Sequence, residues 1–317
     1  MIYENIIDIK DLYVSYKISK NEYVHALKDI NIKVKKGECV AIVGESGCGK
    51  STLANSLLKL LPENAEIKGN VQINGINILD KFNDELSEIR GKVAGIIFQE
   101  PAAYLNPVFT VKEQIEETIL AHNKNLDRKQ IENIGLFLLK ETGIEDIKRV
   151  YNSYPHQLSG GQQQRVMIAI ALSCNPPVLI ADEPTTALDV TVQLQIINLL
   201  RNLKKTRNLT LLLITHDLNL ATYMADRIIV MYAGEIVEDA KIKSIKESHH
   251  PYTYQLFKVI PDINKKKGDF ILIKGEVPDL RIMLNRCYFY ERCFKAKKRC
   301  GLQHPEMKKS VRCFFPM

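Results

Sequence analysis

The stretch Gly44-Glu45-Ser46-Gly47-Cys48-Gly49-Lys50-Ser51 leaves few folds open. It reads G-x-x-x-x-G-K-S and follows the apolar run Cys39-Val40-Ala41-Ile42-Val43. A strand must deliver the chain into a glycine-rich turn, and a helix must carry it away. Glycines let the backbone wrap an anion, so that several N–H groups point at one phosphate. The helix that starts near Lys50 adds the partial positive charge of its N-terminus. Lys50 supplies a full charge for β- and γ-phosphates, and the Ser51 hydroxyl is a hard oxygen ligand for Mg²⁺.

The surrounding pattern fits such a loop. Ile6 to Val14 alternates in part, and Ala26 to Val34 alternates cleanly, as half-buried strands do. Lys68 to Gly75 is a third short strand closing on an Asn-Gly turn. Val93 to Phe98, Val178 to Ala181 and Leu209 to Thr215 are apolar runs, expected of strands covered on both faces. Gln162 to Ser173 and Val190 to Leu203 read as helices. From Val111 to about Val150 the spacing becomes helical, through Ile115, Ile119, Ile131, Ile134 and Leu138. Thr110 with Glu113 three residues on is a capping box. The alternation ends near Ser248-His249-His250-Pro251. The expected architecture is an α/β core over residues 1–240 with a helical insertion at about 100–155, then a smaller extension over 241–317.

Two carboxylates, Asp182 and Glu183, follow the strand Val178 to Ala181. Asp182 stands where it can hold the Mg²⁺ shell, directly or through water, and Glu183 where it can polarise the water attacking a γ-phosphate. Gln99 follows another apolar strand, and its amide can bridge metal and water. His216 follows Leu211 to Thr215 and can reach a γ-phosphate; the plainer reading is a packed strand-end histidine. Leu158-Ser159-Gly160-Gly161-Gln162 is rich in N–H groups and opens a helix, a second anion-binding helix end. Two such ends in one chain suggest two chains sharing each nucleotide.

Net charge is +7, with basic runs at Lys265-Lys266-Lys267 and Lys295 to Arg299. Such runs are more often solvated surface than binding sites. The chain has no Trp and only 7% aromatic residues, so no base-stacking platform and no nucleic-acid partner are expected. No window resembles a membrane span of roughly 20 apolar residues, and Met1-Ile2-Tyr3-Glu4-Asn5 lacks the start of a secretion signal. A cytoplasmic chain is expected. Of seven cysteines, Cys287, Cys293, Cys300 and Cys313 crowd near the end with spacing C-x5-C-x6-C-x12-C. Four thiolates so close can hold a metal ion or an iron–sulfur cluster, although the C-x2-C pairs of common zinc sites are missing. Arg281, Arg286, Arg292 and nearby lysines would offset their charge. Cys48, inside the loop beside Lys50, is expected to have a lowered pKa, and its alkylation to block nucleotide binding.

Taken in order, these elements resemble the nucleotide-binding subunits of ABC transporters: Walker A at Gly44 to Ser51, Q-loop at Gln99, signature at Leu158 to Gln162, Walker B ending in Asp182-Glu183, D-loop at Ala187-Leu188-Asp189, and switch His216. The resemblance implies a P-loop NTPase (RecA-like) α/β core with an antiparallel β subdomain and a helical insertion, plus a small cysteine-containing C-terminal extension. It implies ATP and Mg²⁺, the ion held at Ser51, Gln99 and Asp182. Nucleotide contacts would come from the loop through Thr52 and from an adenine-stacking aromatic, Tyr16 first and Tyr23 second. It also implies a head-to-tail pair in which Ser159, Gly160, Gly161 and Gln162 meet the γ-phosphate held by the partner.

Gln99-Glu100-Pro101, Leu105-Asn106-Pro107, Tyr154-Pro155-His156-Gln157, Asp182 to Val192 and His250-Pro251-Tyr252-Thr253 are similar to the oligopeptide/dipeptide/nickel importer ATPases. That narrower resemblance implies ATP-driven peptide import, with nickel the competing cargo. It implies a second, different ATPase subunit, two transmembrane permease subunits meeting the helical region, an extracytoplasmic substrate-binding protein acting indirectly, and a peripheral place on the cytoplasmic face of the membrane. It favours a [4Fe-4S] cluster on the four late cysteines, with zinc still open. The alternatives of another class are a soluble non-transport ABC ATPase and an iron–sulfur regulatory protein. The soluble ATPases typically carry two cassettes or a long coiled-coil insertion, and neither pattern is present.

Overall fold

The structure, a computed structural model, describes residues 4–186, 188–245, 249–259 and 273–317. Ala187 of the D-loop and the run Lys265-Lys266-Lys267 lie outside the described residues. The chain forms two compact units. One joins both ends of the chain, Ile7–Val34, Cys39–Gln72 and Thr215–Met317; the other is chiefly its middle, Ile73–Ile214.

The unit of the two ends opens with β1 (Asn5–Ser19) and β2 (Glu22–Lys35). Only Lys20 and Asn21 separate them, a link short enough for an antiparallel hairpin alone. Ile30, Ile32 and Val34 are buried on β2 with exposed residues between them, the alternation of a sheet with one wet face. Next come β3 (Cys39–Val43), α1 (Lys50–Leu57) and β4 (Ala65–Ile73), with β1 lying between β2 and β4. The turn after β4 is left-handed at both Asn74 and Gly75 (φ 51° and 79°), as an Asn-Gly reversal requires.

The middle unit holds β5 (Ile76–Asn77), α2 (Asn83–Ile89), β6 (Ala94–Ile97) and α3 (Pro101–Tyr104). It continues with α4 (Val111–His122), α5 (Arg128–Glu141), α6 (Ile147–Tyr151), α7 (Gly160–Ala171), β7 (Val178–Asp182), α8 (Val190–Thr206) and β8 (Thr210–Ile214). β7 pairs in parallel with β6 on one side and β8 on the other. Both β7 and β8 are buried at every residue, which is why their sequences are continuous apolar runs rather than alternations. In the helical region Thr110 accepts from the Glu113 N–H and Asp127 from the Gln130 N–H, so capping boxes start α4 and α5.

The first unit resumes with α9 (Leu218–Met224), β9 (Arg227–Tyr232), β10 (Glu235–Lys241) and α10 (Pro251–Val259). β9 runs parallel to β3, and β10 folds back antiparallel to β9 across Ala233 and Gly234. The tail from Ile273 on contains only single turns of 3-10 helix, at Tyr290–Arg292 and Lys298–Gly301. It returns to β10, where Val311 bridges Glu238 and the Arg312 N–H donates to the Val237 carbonyl at 2.9 Å. An open strand edge is thereby covered.

Candidate functional site

β3 is buried throughout and hands the chain to Gly44. A Cβ on Gly44 would lie 2.3 Å from the Met231 carbonyl oxygen, and one on Gly49 would lie 2.5 Å from that of Ala26. Gly49 is also left-handed, φ +100°, and caps α1. No side chain fits at either place. Lys50 is 6% exposed, and its Nζ donates to the carbonyls of Gly44 at 3.0 Å and Glu45 at 3.1 Å. Ser51 beside it is exposed. The Tyr16 hydroxyl donates to Thr52 Oγ1 at 3.1 Å, which seats Tyr16 next to the start of α1. Tyr23 donates instead to Glu66 at 2.9 Å. Glu45 is engaged from its N–H to its carboxylate. The N–H donates to the Tyr252 hydroxyl at 3.0 Å, and the carboxylate takes both arms of the Arg292 guanidinium at 2.7 and 3.0 Å.

In the middle unit β7 ends on the buried Asp182. Glu183 follows with φ 46°, a left-handed backbone that few non-glycine residues adopt and that surroundings must hold in place. Its N–H donates to the Ile214 carbonyl at 2.9 Å. Its carboxylate oxygen Oε2 accepts from the Gln99 amide at 3.0 Å and the Thr186 hydroxyl at 2.9 Å. Two residues picked out on separate strand ends therefore meet side chain to side chain. Ser159 caps α7: its hydroxyl accepts from the Gln162 N–H at 3.3 Å, and the Gln162 side chain accepts from the Ser159 N–H at 3.2 Å. Ser159 and Gly160 are exposed, so this positive helix end is open to an anion. His216, counted with the unit of the two ends, is exposed, and Asp217 after it caps α9.

Cys287, Cys293, Cys300 and Cys313 line one cavity, with His250 and Lys295 on its wall. None is in a disulfide. Burial pushes the Cys293 and Cys313 thiols up, and that of Cys287 up to about 12. Among the described residues no group of three or more His, Cys, Asp or Glu is placed to hold a metal ion. The arginines expected to offset thiolate charge serve carboxylates instead. Arg281 pairs with Asp279 and Glu22, Arg286 with Glu291, and Arg292 with Glu45. A carboxylate within reach takes a guanidinium in a fork that a protonated thiol cannot offer.

A family profile described as "ABC transporter" matches residues 27–186, and another, "Oligopeptide/dipeptide transporter, C-terminal region", matches residues 237–300. The oligopeptide transport ATP-binding protein AppD of Bacillus subtilis is 41% identical over 309 residues, covering 95% of this chain and 94% of that protein. The chain belongs to the ABC transporter family. The oligopeptide transport ATP-binding protein OppD of Lactococcus lactis subsp. cremoris is 42% identical over 279 residues, 87% of this chain and 82% of that one. Among solved structures, the dimeric ATP-binding cassette MJ0796 bound to ADP and Pi has 37% identity and a TM-score of 0.67, covering 74% of this chain and 98% of that chain.

In this ABC transporter ATPase, Gly44 to Ser51 and His216 fall in one unit, and Gln99, Leu158 to Gln162 and Asp182-Glu183 in the other. One expectation about the Walker A loop is overturned. Cys48 is 1% exposed, and burial pushes its thiol up, outweighing the nearby Lys50. The loop N–H groups and Lys50 do not bring its pKa down, because desolvation of the thiolate is the larger effect. That Glu45 is bound by the tail is not legible in the sequence. The only signals were an arginine beside Cys293 and the tyrosine of His250-Pro251-Tyr252-Thr253.

Proposed function

We propose that this chain is an ATP-hydrolysing subunit of a membrane importer for oligopeptides or dipeptides, driving transport through separate permease subunits. One observation carries the reading. Relatives named for oligopeptide transport match across the cassette and on through the C-terminal region, whereas the MJ0796 cassette accounts for only 74% of this chain. Those names also favour peptides over nickel.

The loop from Gly44 to Thr52 grips the triphosphate, with Lys50 neutralising its outer charge and Tyr16 stacking on adenine. Tyr16 is preferred to Tyr23 because it bonds Thr52. Ser51, Gln99 and Asp182 would hold Mg²⁺, which supplies charge neutralisation on the phosphates when bound. Glu183, aimed by Gln99 and Thr186, takes a proton from the attacking water. His216 contacts the γ-phosphate. Ser159, Gly160, Gly161 and Gln162 cap the nucleotide of a second, different ATPase subunit.

The two permease subunits dock on the helical region near Gln99. Tyr104, Val108 and Phe109 are 57%, 71% and 44% exposed there, and the Tyr104 ring stacks on Phe98, next to Gln99, with centroids 3.8 Å apart. The same contact can pass force from permease to Q-loop. The subunit works at the cytoplasmic face of the membrane; no described helix is long and apolar enough to cross one. An extracytoplasmic substrate-binding protein selects the cargo and acts on this chain only through the permeases.

Cys287, Cys293, Cys300 and Cys313 would hold a [4Fe-4S] cluster, which when bound cross-links a tail poor in regular structure. Four thiols on one cavity suit it in number and chemistry. The C-x5-C-x6-C-x12-C spacing lacks the C-x2-C pairs of common zinc sites, which favours the cluster over zinc.

The deciding experiment reconstitutes the chain with its adjacent ATPase and permease subunits and binding protein in liposomes. Peptide uptake should require MgATP, and nickel should not replace peptide. Intact ATP binding without peptide uptake would reject the transport reading. Anaerobically purified protein should contain equal iron and sulfide, both lost on Cys→Ser substitution of the four; equimolar zinc instead would reject the cluster.

A further inference from the structure

A phosphate-binding loop is a poor place for a free carboxylate, yet Glu45 is the second residue of Gly44–Ser51. Like charges at short range repel, and Glu45, with its side chain only 24% exposed, is incompletely screened by water. The structure shows how the charge is dealt with. Arg292 lies 247 residues further along the chain, in the single helical turn before Cys293, and forks onto both Glu45 oxygens. Its side chain is 6% exposed. The same guanidinium donates to the Tyr232 hydroxyl at 3.2 Å and to the carbonyls of Ile273 at 3.3 Å and Lys274 at 3.2 Å. The turn is anchored by Phe289, whose ring meets Tyr232 and Tyr252 edge-on at 5.1 and 5.3 Å. Tyr252 in turn accepts from the Glu45 N–H.

We propose that Arg292 is a positioning residue of the nucleotide site: it neutralises Glu45 and holds that carboxylate away from Lys50 and the incoming phosphates, so that the cysteine-bearing tail sets how well the loop receives ATP. The proposal rests on the reading of this loop as the chain's ATP site. Lys50 Nζ lies 3.1 Å from the Glu45 carbonyl, so a released carboxylate has a second cation within reach. Lys50 would then be occupied by an internal pair instead of a phosphate. A contact that merely braced the fold would not care about the charge at position 45; this arrangement does.

The test measures MgATP affinity of the full-length chain by calorimetry, with thermal melts as the check of folding. R292Q should raise Kd about tenfold, the scale of lost hydrogen bonds to a charged group. R292K, which keeps the charge without the fork, should fall between. E45Q/R292Q, with nothing left to neutralise, should bind within about threefold of wild type. Wild-type affinity in R292Q, or a double variant as weak as R292Q, overturns the proposal. If R292Q does not fold, the double variant decides alone: near wild-type affinity supports the proposal and weak affinity defeats it. A wild-type chain that binds no MgATP would instead defeat the ATP-site reading beneath it.

Discussion

The carboxylate of Glu183 is aimed twice, by a left-handed backbone and by two side-chain donors. Glu183→Gln keeps the shape and an acceptor but removes the proposed base. ATP turnover should fall on the order of 10²–10⁴-fold, with MgATP affinity retained; steady-state hydrolysis beside nucleotide titration reads both. Cys48 makes the opposite point, since its surroundings silence it. N-ethylmaleimide near neutral pH should leave it unmodified in the folded chain, and its labelling should lag an ordinary thiol as pH rises, because its pKa is raised. Peptide mass spectrometry checks this, and rapid neutral-pH labelling would contradict the burial. Lys28 is also buried, its ammonium 3.7 Å over the Tyr288 ring, and desolvation pulls its pKa from 10.5 down to about 8. Between those values the unfolded chain binds more protons than the folded one, so stability rises with pH across that window. Below it both states are protonated and the penalty is constant. Lys28→Met should flatten the rise, which denaturant titrations at about pH 8 and about pH 10 would show.

At the scale of elements, the helical region turns on one small residue. A Cβ on Gly135 in α5 would lie 2.9 Å from the ring of Tyr151, itself buried at the end of α6 and donating to Glu116 at 2.9 Å. Ala in place of Gly gains about 1 kcal/mol of helix propensity. Pressing on a ring that cannot move costs about 1–3 kcal/mol. Gly135→Ala should therefore destabilise α5 and α6, seen as faster amide exchange there; unchanged exchange would mean the ring has room. The capping box at Thr110 shows what a sequence can tell, for a cap is settled within four residues; the one at Asp127 went unread. β7 and β8 were equally readable, since burial on both faces writes itself as an apolar run. The β9–β10 hairpin was not, because it reverses at Ala233-Gly234 rather than at the Asn-Gly that marks the turn after β4. α2, α9 and α10 are too short for a helical period to stand out.

At the scale of the whole molecule, the tail is part of the unit that carries the phosphate loop. Arg312 donates to the Ile236 carbonyl at 3.0 Å and to Asp29 at 2.9 Å, His304 bonds Glu235 at 3.0 Å, and Arg292 holds Glu45. A chain cut after Lys241 loses all of these and bares the outer edge of β10. It should aggregate or melt well below the full-length protein in size-exclusion and thermal assays; a soluble monomer of equal melting temperature would show the tail to be an accessory. These ties explain the limits of the sequence reading. The loop's glycines, lysine and serine are dictated by local geometry, whereas the partner of a charge can come from anywhere along the chain. The unit also draws its strands from both ends of the polypeptide, with β3 parallel to β9 and the middle unit made between them. Synthesis on a ribosome is directional. The middle section is finished and free to fold while the early strands still wait, and the nucleotide cradle can close only once β9 has emerged from the exit tunnel.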